Sequence, residues 1–276
     1  MKLQQYVDRI GYSGSLEPRL ETLIGLHRAH LQTIPYENLE IHFGHKLELK
    51  LERIFERLVL EHRGGWCYEM NGLFAWVLRE IGFDVRLVST QVTRADGSLM
   101  APGDHVALIV QLETESQKLW LADVGWGNGF FDPLPLEVGK YRQGFLEYRL
   151  ISHGQMWRFF NQQYGADGFS FTLEPRQLEE FQERCTWQQS SAESGFVRVT
   201  VCQRFTPDGI NTLRDATLIR LTASGELRHT VSSFEEYEQI LREDFKLEVS
   251  NLHELWPRVW QHHLEWVARN TNPTSS

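Results

Sequence analysis

The hydrophobic period of this chain changes near Gly82, and that change sets which folds are open to it. Upstream, apolar residues recur about every 3.6 positions, the spacing of a one-sided helix. Leu20, Leu23, Ile24 and Leu31 mark one stripe within Glu17–Leu31, with Pro35 just past its end. Leu51, Ile54, Phe55, Leu58 and Val59 mark a second within Leu51–Glu61, stopped by Gly64 and Gly65. Trp66, Met70, Leu73, Phe74, Val77, Leu78 and Ile81 mark a third, with Gly82 as its C-terminal stop. Downstream the period falls to about two. Val85–Val92, Val106–Leu112, Lys118–Val124, Tyr148–Ser152, Phe169–Leu173, Phe196–Phe205 and Ala216–Thr222 read as strands of a sheet or barrel. Helix then returns. Ser233 is placed to cap a segment that buries Phe234, Tyr237, Ile240, Leu241 and Phe245. Leu252–Ala268 is amphipathic, with Pro257 marking its start or a kink, and the tail Asn270–Ser276 reads as polar and frayed.

Composition narrows the partners. With 276 residues, 41% hydrophobic, the chain has material for a large core. Its formal net charge of -9 argues against nucleic acid or an anionic membrane as a bulk partner, so a polyanionic ligand would need a local basic pocket. The segment Met1–Gly14 does not read as a signal peptide, and no window approaches the ~18 apolar residues of a membrane span. Cys67, Cys185 and Cys202 form no CxxC pair, a usage that suits a reducing cytoplasm. The expectation is a soluble, cytoplasmic protein; its oligomeric state is open.

Arg63-Gly64-Gly65-Trp66-Cys67-Tyr68-Glu69-Met70-Asn71 is the most informative segment. Cys67 falls in the first turn of the third helix, where free backbone N–H groups and the macrodipole favour a thiolate, so it is expected to ionise more readily than a free thiol. Val106–Leu112 and Lys118–Val124 read as a hairpin joined by Glu113–Gln117. With the turn centred on Glu115, Ala107 faces Asp123 and His105 faces Gly125, which makes His105 and Asp123 diagonal neighbours on one face. A slip of one residue would part them, and the alternation alone does not choose. Cys67, His105 and Asp123 together supply nucleophile, base and orienter. The other histidines, His27, His30, His62, His153 and His229 among them, lack such a partner pattern. The same Cys, His and Asp would also serve as a three-ligand zinc site. A cysteine protease or transglutaminase chemistry, or a binding module with an incidental cysteine, remain rival readings.

The segment Arg63–Asn71, the upstream Ile34-Pro35-Tyr36-Glu37-Asn38 and the later Ala122-Asp123-Val124-Gly125-Trp126-Gly127 resemble the arylamine N-acetyltransferases, in order and over nearly the whole chain. The resemblance implies a multidomain α+β fold with an N-terminal helical bundle, a central β-barrel, a C-terminal α/β lid and a papain-like cysteine core. On this chain the three parts are residues 1–84, 85–190 and 191–276. It implies transfer of an acetyl group from acetyl-CoA, through an acetyl-cysteine, to an aromatic amine, hydrazine or N-hydroxyarylamine, with no metal. Cys67 is then the nucleophile, His105 the base and acid, and Asp123 the orienter. Tyr36, Tyr68 and Trp126 line the acceptor pocket. Trp126, Gly127 and Asn128 form the loop beside the CoA pantetheine, and Asp104 is counted with them as cofactor-binding; for the reaction itself, backbone N–H groups near Cys67 and Asp104 are the expected donors to the oxyanion. Glu37 and Arg63 form a bracing ion pair. Arg198, Arg204 and Arg214 are candidates for the CoA phosphates. Tyr36, Trp126, Asp104 and Asn128 depart from the residues usual in the family, which bears on acceptor preference and CoA contacts.

Overall fold

The third apolar stripe becomes α5 (Cys67–Ile81), whose buried face includes Leu73, Phe74, Val77 and Leu78. Gly82 ends it in a left-handed conformation (φ 108°) that a side chain would resist. The structure, a computed structural model, describes residues 1–94, 96–112 and 118–271; the turn expected at Glu113–Gln117 and the end of the tail lie outside them. Ahead of α5 come α1 (Leu3–Ile10), α2 (Leu20–Thr33), α3 (Leu39–His42) and α4 (Leu51–Phe55). α2 ends two residues before Pro35, as expected where the residue preceding proline avoids helical dihedrals. The second stripe is not one regular helix: α4 widens into a π-helical turn over Glu56–Leu60, and Arg57 within that turn is buried.

The middle of the chain forms an eight-stranded antiparallel sheet. Its strands are β2 (Asp84–Val92), β3 (His105–Gln111), β4 (Leu119–Ala122), β5 (Leu134–Pro135), β6 (Gly139–Gln143), β7 (Leu146–His153), β8 (Met156–Phe160) and β9 (Gly168–Arg176). Their order is β5-β4-β3-β2-β9-β8-β7-β6. A register shift between Val88 and Thr90 helps the sheet curl. It bends into a nearly closed barrel whose edge strands, β5 and β6, are consecutive in the chain but not hydrogen-bonded to each other.

A second, five-stranded sheet follows. A short strand from the helical region, β1 (Tyr36–Glu37), pairs with β10 (Val201–Thr206), and β11 (Gly209–Arg214), β12 (Thr217–Thr222) and β13 (Gly225–Thr230) continue the order. The expected strand Phe196–Phe205 is split. α6 (Gln182–Ser190) and a single turn, α7 (Gly195–Arg198), precede β10, because the Ser194 side chain accepts the Phe196 N–H and starts a helical turn there. α8 (Phe234–Glu243), capped by Ser233 as expected, and α9 (Leu252–Thr271), which carries Pro257 inside its first turns, pack on this sheet around Leu213, Leu218, Tyr237, Leu241 and Leu255. Among the described residues, no helix is long and apolar enough to cross a membrane.

Candidate active site

The site is assembled where α5 meets the open end of the β3–β4 pair. The ladder runs Leu108↔Ala122 through Gln111↔Leu119, the register centred on position 115. One step further places Ala107 across from Asp123, and the His105 Nε2–Asp123 Oδ2 distance is 2.6 Å. Thr90 on β2 donates to the His105 carbonyl at 3.1 Å and pins the strand end.

Asn71, one turn after Cys67 on the same helix face, fastens α5 to this pair. Its amide donates to Asp123 Oδ1 at 2.8 Å and to the Val106 carbonyl at 2.7 Å, and its oxygen accepts the Val124 N–H at 3.0 Å. Gly125 donates its own N–H to Asp123 Oδ1. Helix and loop touch so closely at Gly125 that a Cβ there would lie 2.7 Å from the Cys67 Cα and 2.9 Å from its carbonyl oxygen. The structure therefore gathers Cys67, His105 and Asp123, each at most 3% exposed. No hydrogen bond joins the sulfur to the imidazole among the described residues.

The thiol departs from expectation. The Tyr68 N–H at the helix start does lower its pKa, but burial first, and then the nearby Asp123 carboxylate, push it well above the free value. The helix end alone does not ionise this sulfur. Cys185 and Cys202 are buried and free as well, and burial pushes Cys185 up to about 12.

Around Cys67, His105 and Asp123, Trp126 stands edge-on to His105 with ring centroids 4.8 Å apart, and Phe169 flanks both rings. Gly127, at φ 75°, faces the Gln203 side chain of β10 and lies beside Tyr36. Asn128 accepts from Asn161 and Gln162 through its carbonyl. Tyr68 is not an open wall: it is fully buried between Trp66 and Phe181, and its hydroxyl donates to the Gly103 carbonyl at 2.6 Å, bracing the approach to His105. The Asp104 carboxylate is held by Arg184 and by Gln188 of α6. Phe130 is core, and Phe131 is half-buried against Phe205.

The expected pairing of Glu37 with Arg63 is corrected. Glu37 turns its carboxylate onto the Leu39 N–H that opens α3, at 2.6 Å, and faces Arg57 at 4.0 Å. Arg63 instead meets Glu40 at 2.5 Å. Glu69, the third carboxylate of the cluster, lies 3.2 Å from Arg57, yet burial outweighs that attraction and pushes it up to about 7.

A cleft of about 1370 Å³ opens beside the site between the α6–α7 segment, the second sheet and α9. Asn128, Gln188, Phe196 and Gln203 line it; Gln188 donates to the Asp104 carbonyl and Phe196 meets Trp66 edge-on, while Cys67, His105 and Asp123 are not part of the lining. Arg198 and Arg214 reach the cleft, as do Arg228, Arg258 and Arg269. Arg204 does not: its guanidinium is spent on the carbonyls of Asp244 and Gln32. Two residues beyond the expected set also matter, Asn71 and His27. Asn71 stands inside the Arg63–Asn71 motif, but its residue type alone points to no role in the reaction. His27 carried no local signal, since its partners are about a hundred positions away.

The family model described as N-acetyltransferase matches residues 19–253. An arylamine N-acetyltransferase, a pineal gland isozyme from Gallus gallus, is 31% identical over 90% of this chain and 94% of its own. The arylamine N-acetyltransferase of Mycobacterium smegmatis superposes with a TM-score of 0.86 at 30% identity, covering 95% of this chain and 98% of that one. The Mycobacterium marinum enzyme, solved in complex with CoA, gives 0.85 at 27% over 94% and 98%. Sequence and fold agree along nearly the full length: the chain belongs to the arylamine N-acetyltransferase family.

Proposed function

We propose that this protein transfers an acetyl group from acetyl-CoA to an arylamine, arylhydrazine or N-hydroxyarylamine by a ping-pong cycle through acetyl-Cys67. The observation that carries the reading is the array Asn71–Asp123–His105, set against the first turn of the helix that bears Cys67. His105 takes the thiol proton, and Asp123 stabilises the resulting imidazolium. The thiolate attacks the acetyl carbonyl; the C–S bond to CoA breaks, and the CoA sulfur leaves with the proton from His105. An arylamine, already neutral near pH 7, then attacks the acetyl-cysteine. His105 removes its proton, the sulfur departs, and the amide is released. Backbone N–H groups near Cys67 and Asp104 are assigned to the oxyanion. The near-complete burial of Cys67 favours a dry acetyl-enzyme, which water would otherwise hydrolyse.

Trp126 and Tyr36 are assigned to the acceptor ring and Gly127–Asn128 to the pantetheine arm. Arg198 and Arg214 are the nearest surviving candidates for the CoA phosphates. The role first given to Tyr68 passes to support of the Gly103–His105 turn. Residues 1–84, 85–190 and 191–276 are read as three units, and β1 of the first pairs with β10 of the third. Three unpaired cysteines fit a reducing cytoplasm.

Initial-rate kinetics with acetyl-CoA and a simple aniline test the cycle. The expected outcome is parallel double-reciprocal lines as the fixed substrate varies. Intersecting lines would mean that both substrates must be bound together and that no free acetyl-enzyme forms.

A further inference from the structure

His27 is fully buried on α2, far in sequence from every residue assigned to the reaction. Its ring stacks on Phe130 with centroids 5.7 Å apart and planes 6° from parallel, and Phe74 of α5 meets it edge-on. Both ring nitrogens are used. Nδ1 lies 2.9 Å from the Phe131 carbonyl oxygen, and Nε2 lies 3.2 Å from the Asp123 backbone nitrogen. A carbonyl only accepts and an amide N–H only donates, so one species satisfies both contacts: the neutral imidazole protonated at Nδ1. Burial lowers the pKa of His27 to about 4, which keeps it in that form near neutrality. The titratable groups facing it are Asp123, Asp132 and, one turn along α2, His30.

The two backbone groups it joins have a particular place in the chain. Asp123 and Phe131 are the two ends of the loop that carries Trp126, Gly127 and Asn128. One end holds the carboxylate bonded to His105, and the loop between carries the indole that stands against the same imidazole.

We propose that His27 is a positioning residue, a clasp that closes the base of the 124–130 loop and so fixes Asp123 and Trp126 on either side of His105. The inference rests on the reading of Cys67, His105 and Asp123 as the reacting groups. It assigns His27 no contact with substrate. Opening the clasp frees the Asp123 backbone to drift, weakens the carboxylate–imidazolium contact, and thereby makes the Cys67 thiolate harder to form.

The test compares the full-length wild type with His27→Phe and His27→Gln. Phenylalanine keeps the ring stack and loses both hydrogen bonds; glutamine offers one donor and one acceptor at about the same reach. Two readouts are taken: the pH profile of Cys67 alkylation by iodoacetamide, followed by peptide mass, and kcat and KM for an aniline acceptor. The clasp predicts for His27→Phe an alkylation midpoint raised by about one pH unit and kcat lowered about ten-fold or more, with KM within about two-fold. His27→Gln should recover most of both. A His27→Phe enzyme with the wild-type midpoint and kcat overturns the proposal, and so does a folded His27→Gln as impaired as His27→Phe. Should His27→Phe not fold, ¹⁵N spectra of histidine-labelled wild type decide: an unprotonated, hydrogen-bonded Nε2 supports the clasp, and an Nε2–H tautomer removes it. If wild-type Cys67 itself shows neither selective alkylation nor acetyl transfer, the catalytic reading has failed, and the spectra still report on the clasp.

Discussion

Asp123 accepts three hydrogen bonds on its side chain, from His105, Asn71 and Gly125, and each does separate work. The His105 bond fixes the imidazole tautomer. Asp123→Asn would put an amide where the carboxylate stands and favour the wrong tautomer, so kcat is expected to fall by about 10³–10⁴ while the protein remains folded. Steady-state rates check this; a variant within about ten-fold of wild type would remove Asp123 from its role. Asn71 serves both α5 and the loop. Asn71→Ala leaves the buried Val124 N–H unpaired and strips one donor from Asp123, and is expected to cost about 2–3 kcal/mol of stability, read from chemical denaturation. A loss below about 0.5 kcal/mol would mean that helix and loop are held together by something else.

At the level of elements, the contact that matters is backbone on backbone. Gly125 lies against the Cys67 Cα and carbonyl, and neither can turn aside as a side chain would. Gly125→Ala is therefore expected to shift the first turn of α5 away from His105 and lower kcat about 100-fold, a loss that misplacement of about 1 Å produces. Near-wild-type activity would show that the two elements tolerate separation. Much of this was legible in the residues. The strong 3.6 period over Trp66–Ile81 with Gly82 behind it gives α5 almost to the residue, whereas the hairpin register that makes His105 and Asp123 diagonal is left open by the alternation and chosen only in the fold. Other features carried no such pattern. β13 is almost wholly exposed, so no alternation marks it. Glu37 and Glu40 both lie near Arg57, and only the fold decides that Arg63 takes Glu40. The thiol expectation erred because a helix start is a local feature, whereas burial is set by the whole molecule. His27 was invisible for the same reason: its two bonds span 96 and 104 positions.

Across the whole molecule, buried titratable groups set the response to pH. Burial lowers His27 and His42 to about 4, and holds His30 well below its ordinary value. Between those values and the unfolded value of about 6.5, the unfolded chain binds more protons than the folded one, so stability falls as pH drops through that window. Glu69, raised to about 7, acts in the opposite sense, because its carboxyl is more readily protonated folded than unfolded. Three histidines against one carboxyl leave a net loss, on the order of 2 kcal/mol per pH unit between about pH 6.5 and 4.5. Thermal denaturation across that range should show a steadily falling Tm, and a flat or rising Tm would contradict the account. The same burial that lowers these groups encloses Cys67 between a barrel end and a helix start, beside a cleft large enough for a long co-substrate. The most direct test is the intact mass of the protein after brief exposure to acetyl-CoA with no acceptor present. The account predicts a gain of one acetyl group, mapped to Cys67, lost when an arylamine is added and absent from Cys67→Ala. No gain in the wild type, or an equal gain in Cys67→Ala, would contradict it.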